Sequence, residues 1–288
     1  MKVSITETFC FLLTTLIVVC IVVSQQAPEM ISGQERLENF IKMHKANVEK
    51  DVAFLLDFSL PRYIPHFAVL DIGSNIGLFS ECLILSLKSN RSCTYDIALF
   101  EPIQEYHYTG KKRLAKISNH TTHFNYGISN VRERRNINLN LGPNLGTNSY
   151  LNVDPNGPSM YMKKVVTQSI TLDELMEPMK HTLKKLDLIK IDVEGFEGNV
   201  LSGAMQTIYR YLPDMYVELG WGTRHPSYTK NLKIYNELFA LDYFITDFIH
   251  CFDYLPLRND TVNYLWRHKS KENDKLFTVG NLGSVTYV

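Results

Sequence analysis

Residues 69–80 read VLDIGSNIGLFS, an apolar run that ends at Asp71 and breaks at Gly73 and Gly77 before turning apolar again. A buried strand that feeds a tight turn and then a helix produces this pattern. The two glycines let the backbone turn sharply and let a ligand lie against it with no side chain between. The free N–H groups of the following helix point at the same place. A dinucleotide fold needs G-x-G-x-x-G here, so that a pyrophosphate can sit on the helix terminus. The spacing is instead D-x-G-x-x-x-G, with a carboxylate at the mouth. That acid is unfavourable beside a pyrophosphate, which argues against a nicotinamide-dependent oxidoreductase. It suits a ligand with an ammonium and a sulfonium and no phosphate, a description that fits S-adenosylmethionine.

Strand signals recur on both sides of this turn. HFAVLDI (66–72) follows the breaks at Pro61 and Pro65, a helical stretch runs from Ile76 to about Leu87, and DIALF (96–100) ends in Glu101. HFNYGI (123–128), LDLIKID (186–192), DMYVEL (214–219), YFITDFI (243–249) and LFTVG (276–280) are further strand candidates, with a helix through LSGAMQTIYRYL (201–212). Between Arg132 and Val166 the chain alternates, as in NINLNL, and carries the turn sequences LGPN and DPNGP, so an antiparallel excursion is expected there. Thr171 and Glu174 form a capping box, and Pro178 keeps the helix they open short.

Alternating strands and helices of this length predict an α/β fold: a Rossmann-like, mostly parallel sheet with helices on both faces. Ligands bind such sheets at the carboxyl ends of the strands, where the strand order reverses. The acids that end these strands therefore become site candidates: Asp71, Glu101, Asp192 with Glu194, and Glu218. Glu101 closes the second strand, where a carboxylate accepts both hydroxyl hydrogens of a ribose.

In order and spacing, VLDIGSNIGLFS, ALFEP, YGISN, GTNSY, QSITLDEL, LIKIDVEGFEGNVLSGA and YVELG resemble the FkbM-type methyltransferases, which are class I S-adenosylmethionine-dependent enzymes. The likeness covers about residues 66–220, and KIDVEGFEGNVLSGA is its most specific element. It implies a seven-stranded sheet and O-methylation of a sugar or other hydroxyl on a natural product or glycan. Ser74 stands where the family often has alanine, and Asn130 where it often has aspartate. Carried over by position, the cofactor residues are Asp71, Gly73, Ser74, Asn75 and Gly77 around the methionine end and the turn, Glu101 on the ribose, and Asn125 near the adenine. Asp192 and Glu194 fall where this class presents groups to the acceptor, one of them accepting the hydroxyl proton. The alternative is structural: Asp192 orients the backbone, and Glu194 with Glu197 loads a helix N-terminus, worth about 0.3–1 kcal/mol each. Glu218 is expected to line the acceptor pocket, with Trp221 as a stacking surface for a sugar; the alternative is that Trp221 caps the core.

The bulk composition is that of a globular protein. Among 288 residues, 30 Lys and Arg balance 30 Asp and Glu, so no charge excess points to nucleic acid. No His and carboxylate cluster has metal-ligand spacing, and no metal is expected. Residues 9–23, FCFLLTTLIVVCIVV, carry no charge and read as a signal peptide or signal-anchor helix. That reading divides the chain into 1–24, a stem and leading helix over 25–60, and the methyltransferase domain over 61–288. It puts the domain in the lumen of the endoplasmic reticulum or Golgi on a single-pass anchor, or outside the cell after cleavage. Sequons at Asn90, Asn119 and Asn259 are compatible with either. The expected function is S-adenosylmethionine-dependent O-methyl transfer to a hydroxyl of a glycan or other small molecule in the secretory pathway. The alternative is a catalytically silent, membrane-anchored relative that serves as a binding or trafficking factor.

Overall fold

The computed structural model of the chain describes residues 33–59, 65–90, 93–140, 162–181, 183–219, 226–246, 251–252 and 262–271. The chain divides into two units, residues 1–39 and 40–288. The described part of the first is the opening of helix α1 (Gly33–Phe58). In chain order there follow β1 (His66–Ile72), α2 (Leu78–Asn90), β2 (Thr94–Phe100), α3 (Gln104–Leu114), β3 (Thr121–Phe124), β4 (Gly127–Ile128), β5 (Glu133–Asn140), β6 (Met162–Ile170), α4 (Leu172–Met176) and β7 (Leu188–Ile191). The remaining elements are α5 (Glu197–Ser202), α6 (Met205–Tyr211), β8 (Asp214–Leu219), α7 (Pro226–Ala240), β9 (Tyr243–Thr246), β10 (Cys251–Phe252) and β11 (Val262–His268).

The main sheet has eight strands in the order β3-β2-β1-β7-β8-β11-β9-β10. The first five run parallel, while β11 is antiparallel to both β8 and β9. An apolar core covers each face, as a doubly covered parallel sheet requires. Residues such as Leu70, Ile189, Ile191 and Val217 meet α5, α6 and α7 on one side. Val69, Leu99, Leu188 and Leu265 meet α1 and α2 on the other, where Val52 and Leu55 of α1 continue the helical stripe begun at Phe40, Ile41 and Val48. The strand order reverses between β1 and β7, which puts the binding crevice at their carboxyl ends.

Several expectations are met and several are corrected. Seven strands were expected, and a two-residue edge strand, β10, adds an eighth. The excursion after Arg132 is antiparallel: β5 pairs with β6 in a separate three-stranded sheet of order β4-β6-β5. Its turns LGPN and DPNGP lie outside the described residues. HFNYGI is not one strand. The Asn125 amide donates to the carbonyls of Glu101 and Pro102 at 2.9 and 3.1 Å, and the chain leaves the main sheet there, so that β4 joins the second sheet. Thr171 caps α4 by accepting the Glu174 N–H at 3.0 Å, and α4 ends as expected before Pro178. The helix expected through 201–212 is two helices broken at Gly203, where an added Cβ would meet the Ser129 carbonyl oxygen at 2.0 Å. β11 answers to no expected strand, and LFTVG lies outside the described residues. So does the apolar segment 9–23; among the described residues no helix is long and apolar enough to cross a membrane.

At the mouth of the crevice Gly73 has φ +76°, and a Cβ there would lie 1.9 Å from the carbonyl oxygen of Asp192. The glycine thus lets the loops after β1 and β7 touch backbone to backbone. Gly73→Ala must strain φ and push these loops apart together. We expect it to destabilise the fold by about 2–4 kcal/mol, read from the midpoint of urea unfolding.

Candidate active site

A cavity of about 260 Å³ opens at the carboxyl ends of β1, β2, β7 and β8 and the amino end of the antiparallel β11. Phe40, His44, Val48 and Asp51, spaced along one side of α1, form its outer wall. Strand register explains the rest. Leu99, Asp71, Lys190, Tyr216 and Leu265 are successive partners across β2, β1, β7, β8 and β11 and share a face of the sheet. Two residues further toward the strand tips, the same face presents Glu101, Gly73, Asp192 and Glu218, with Asn263 paired to Glu218 across the antiparallel step. The lower tier is the floor of the site and the upper tier its rim.

The floor is organised by charge. Lys190 Nζ lies 3.4 Å from Asp71 Oδ1 and 3.3 Å from Asp192 Oδ2, and it donates to the Gly73 carbonyl at 3.2 Å. Burial alone would lower its pKa, but the carboxylates of Asp192 and Asp71 more than reverse this and hold the ammonium above its ordinary value. Asp71 is fully buried, and its Oδ2 accepts from Ser80 Oγ at 2.7 Å. The carboxylate expected to face a ligand is therefore turned beneath Lys190 and does not line the cavity. A charge at that depth needs a protein counter-ion, and Lys190 is the one the fold supplies.

On the β2 side of the rim, Glu101 is 6% exposed. Its Oε1 accepts the Ile103 N–H at 2.8 Å and its Oε2 the Asn75 N–H at 2.9 Å. Burial raises its pKa to about 7, with those two N–H groups pulling the other way. Asn75 presents its N–H from a left-handed conformation, φ +49°, which asparagine tolerates well. Gly73, Ser74, Asn75 and Glu101 all line the cavity. Gly77 does not; it packs against Leu114 behind the turn. Asn125 lies off the cavity as well, in a separate depression with Gln104 and Tyr126, and braces the Glu101–Pro102 backbone from behind.

On the other side, Asp192, Glu194 and Glu218 line the cavity. Asp192 is held by Lys190. Glu194 sits at φ +56°, and burial, then the charges of Asp192 and Glu197, raise its pKa to about 8. Glu197 does not share its position: it is 2% exposed and its Oε1 accepts the N–H groups of Val193 and Gly195 at 3.2 and 3.0 Å, tying off the loop. Glu218 is also driven up, by burial and then by Asp192 and Glu194. Its Oε2 is buried with no hydrogen-bond partner among the described residues. Trp221 lies outside the described residues.

Among the lining residues that escaped the sequence reading are Lys190, Asp51, Tyr216 and Asn263. Lys190 carried a usable signal, a lone charge inside the apolar run LIKI; the other three are ordinary until the sheet is assembled. Together the lining holds the carboxyls of Asp51, Glu101, Asp192, Glu194 and Glu218 against the cation Lys190 and the imidazole of His44. No three His, Cys, Asp or Glu among the described residues are grouped to hold a metal ion.

Among solved structures the chain is similar to an FkbM methyltransferase from Methylobacillus flagellatus KT, at 18% identity and TM-score 0.46, covering 87% of this chain and 60% of that one. It therefore spans about three-fifths of that protein's length. A protein from Clostridium thermocellum provisionally described as an rRNA methylase aligns at 8% identity and TM-score 0.42, covering 76% of this chain and 93% of that one. A provisional S-adenosylmethionine-dependent methyltransferase from Methanococcus maripaludis aligns at 14% and 0.40, covering 82% and 92%. No curated protein matches the chain. Residues 71–254, most of the chain and all of the strand tips from β1 to β8, match the family described as the methyltransferase FkbM domain. The chain belongs to the FkbM methyltransferase domain family.

Proposed function

We propose that the protein transfers the methyl group of S-adenosylmethionine to a hydroxyl of a glycan or other small molecule, and that it does so in the secretory pathway. The observation that carries the cofactor reading is Glu101. Both of its oxygens are fixed by backbone N–H groups, and each keeps a lone pair for a ribose hydroxyl. The rest of the lining fits the same ligand: an acid-rich cavity repels a pyrophosphate and favours a sulfonium and an ammonium. The apolar run at 9–23 and the exposed sequon residue Asn119 support the secretory placement, with a single-pass anchor as its simplest form.

When bound, S-adenosylmethionine supplies a methyl group already activated by its sulfonium. The protein's part is then to align the acceptor oxygen, exclude water and take a proton. Of the two acids expected to accept it, Asp192 is committed to Lys190, whereas Glu194 lines the cavity with a pKa near the working range. Glu194, as the carboxylate, would accept the proton of the acceptor hydroxyl as that oxygen takes the methyl group. Asp192 holds Lys190 in place and so sets the floor beneath the reacting groups.

Two measurements test this. In a thermal-shift assay S-adenosylhomocysteine should stabilise the chain, by about 2.7 kcal/mol at a hundredfold excess over Kd. Glu101→Ala should remove that shift, while a wild-type chain that shows no shift would favour the catalytically silent relative. The second concerns pH. Glu101 and Glu197 are raised to about 7 and Glu194 to about 8 from an ordinary 4.5, so the folded state binds protons that the unfolded chain has already released. Their contribution is complete below the unfolded value and is lost as pH rises through the folded ones. The melting temperature of the free protein should therefore fall between about pH 5 and pH 8, with a shallower slope in Glu194→Gln. A melting temperature that rises over that range would contradict the burial of these acids.

A further inference from the structure

The part of the cavity remote from Glu101 has its own chemistry. From β2 to β8 is three strand spacings, about 14 Å, so Glu218 lies across the β1–β7 crevice from the ribose position, and Asn263 on β11 lies one strand beyond. Asp51 closes this end from α1, beside Tyr216. Asp51 and Asn263 both lie outside residues 71–254, the part that matches the family. Tyr216 is only 3% exposed, and among the described residues its hydroxyl interacts with the Asp51 carboxyl. Glu218 Oε2 is buried with no hydrogen-bond partner among the described residues. A buried polar atom left open at a cavity wall is costly, and a ligand that supplied a partner would recover that cost. Among the described residues that line the cavity, the one Lys or Arg is Lys190, already flanked by Asp71 and Asp192.

We propose that Asp51, Tyr216, Glu218 and Asn263 form the acceptor subsite, and that it selects a polyhydroxylated acceptor free of anionic groups, favouring one with an ammonium beside its hydroxyls. This rests on the methyltransferase reading. Neighbouring hydroxyls donate to Glu218 and Asp51, the Tyr216 hydroxyl and the Asn263 amide serve as donor or acceptor as the ring requires, and the two acids attract a positive substituent. A phosphate, sulfate or carboxylate on the acceptor would meet these acids with no free Lys or Arg among the described lining residues to receive it.

The test uses the full chain and three hexoses that differ in charge: D-glucosamine, D-glucose and D-glucuronate. Calorimetry with S-adenosylhomocysteine comes first. If the product does not bind, the methyltransferase reading fails, and the acceptor assignment falls with it. If it binds, saturation-transfer NMR on the loaded protein at about pH 7 compares the sugars. Glucosamine should bind about tenfold more tightly than glucuronate, with glucose between. Asp51→Asn and Glu218→Gln, tested separately so that one misfolded variant does not decide the matter, should each shrink that ratio and leave affinity for S-adenosylhomocysteine unchanged. Glucuronate binding as well as glucosamine, no sugar binding at all, or a ratio unmoved in the folded variants would overturn the assignment.

Discussion

The site depends on a single buried ammonium. Lys190 rises from the middle of an apolar strand and stands between Asp71 of β1 and Asp192 beyond β7, while its third contact holds the carbonyl of Gly73. The two strands between which the sheet order reverses are thereby joined by charge at the depth where a ligand enters. Removing such a cation strands a carboxylate in the core, which typically costs about 3–5 kcal/mol. Asp71 is best understood as the counter-ion that keeps Lys190 charged, and Lys190 as the group that fixes the height of the floor.

Above that floor stand the carboxyls of the rim, of which Asp192 is paired with Lys190. Water is a poor substitute in so narrow a space, so burial keeps Glu101, Glu194 and Glu218 less acidic than they would be in solution. A cationic ligand reverses this preference, because it favours the ionised form of each acid that it meets. On the proposed reading, Glu101 and Glu194, which weaken the free fold at higher pH, are also the acids whose ionised form a cationic cofactor would favour.

Much of this is legible in the sequence. The D-x-G-x-x-x-G turn, the acid closing β2 and the run KIDVEGFEGNVLSGA located the right strand tips, because a buried parallel strand must be apolar until it ends. What failed was direction. Whether Asp71 points up to a ligand or down to a lysine is set by register between β1 and β7, and register between distant strands leaves no local trace. The part Glu197 plays is hidden for a related reason: it sits at the start of its helix, as its spacing suggests, but nothing local shows that it folds back onto the N–H groups of Val193 and Gly195. Asn263 was invisible because VNYLWRH mixes polar and apolar residues without clean alternation; Trp266 and Leu265 are fully buried only because β11 slots between two other strands.

That insertion has a consequence for how the chain must be made. β8 and β9 are complete before β11 has been synthesised, yet neither pairs with the other, so each waits with an open edge across a gap of about 10 Å. Among the described residues β11 is the last of the sheet's strands to emerge from the ribosome; it fills the gap and brings a cavity residue with it. The nascent protein is thus both an aggregation hazard and an unfinished pocket until the same seven residues arrive.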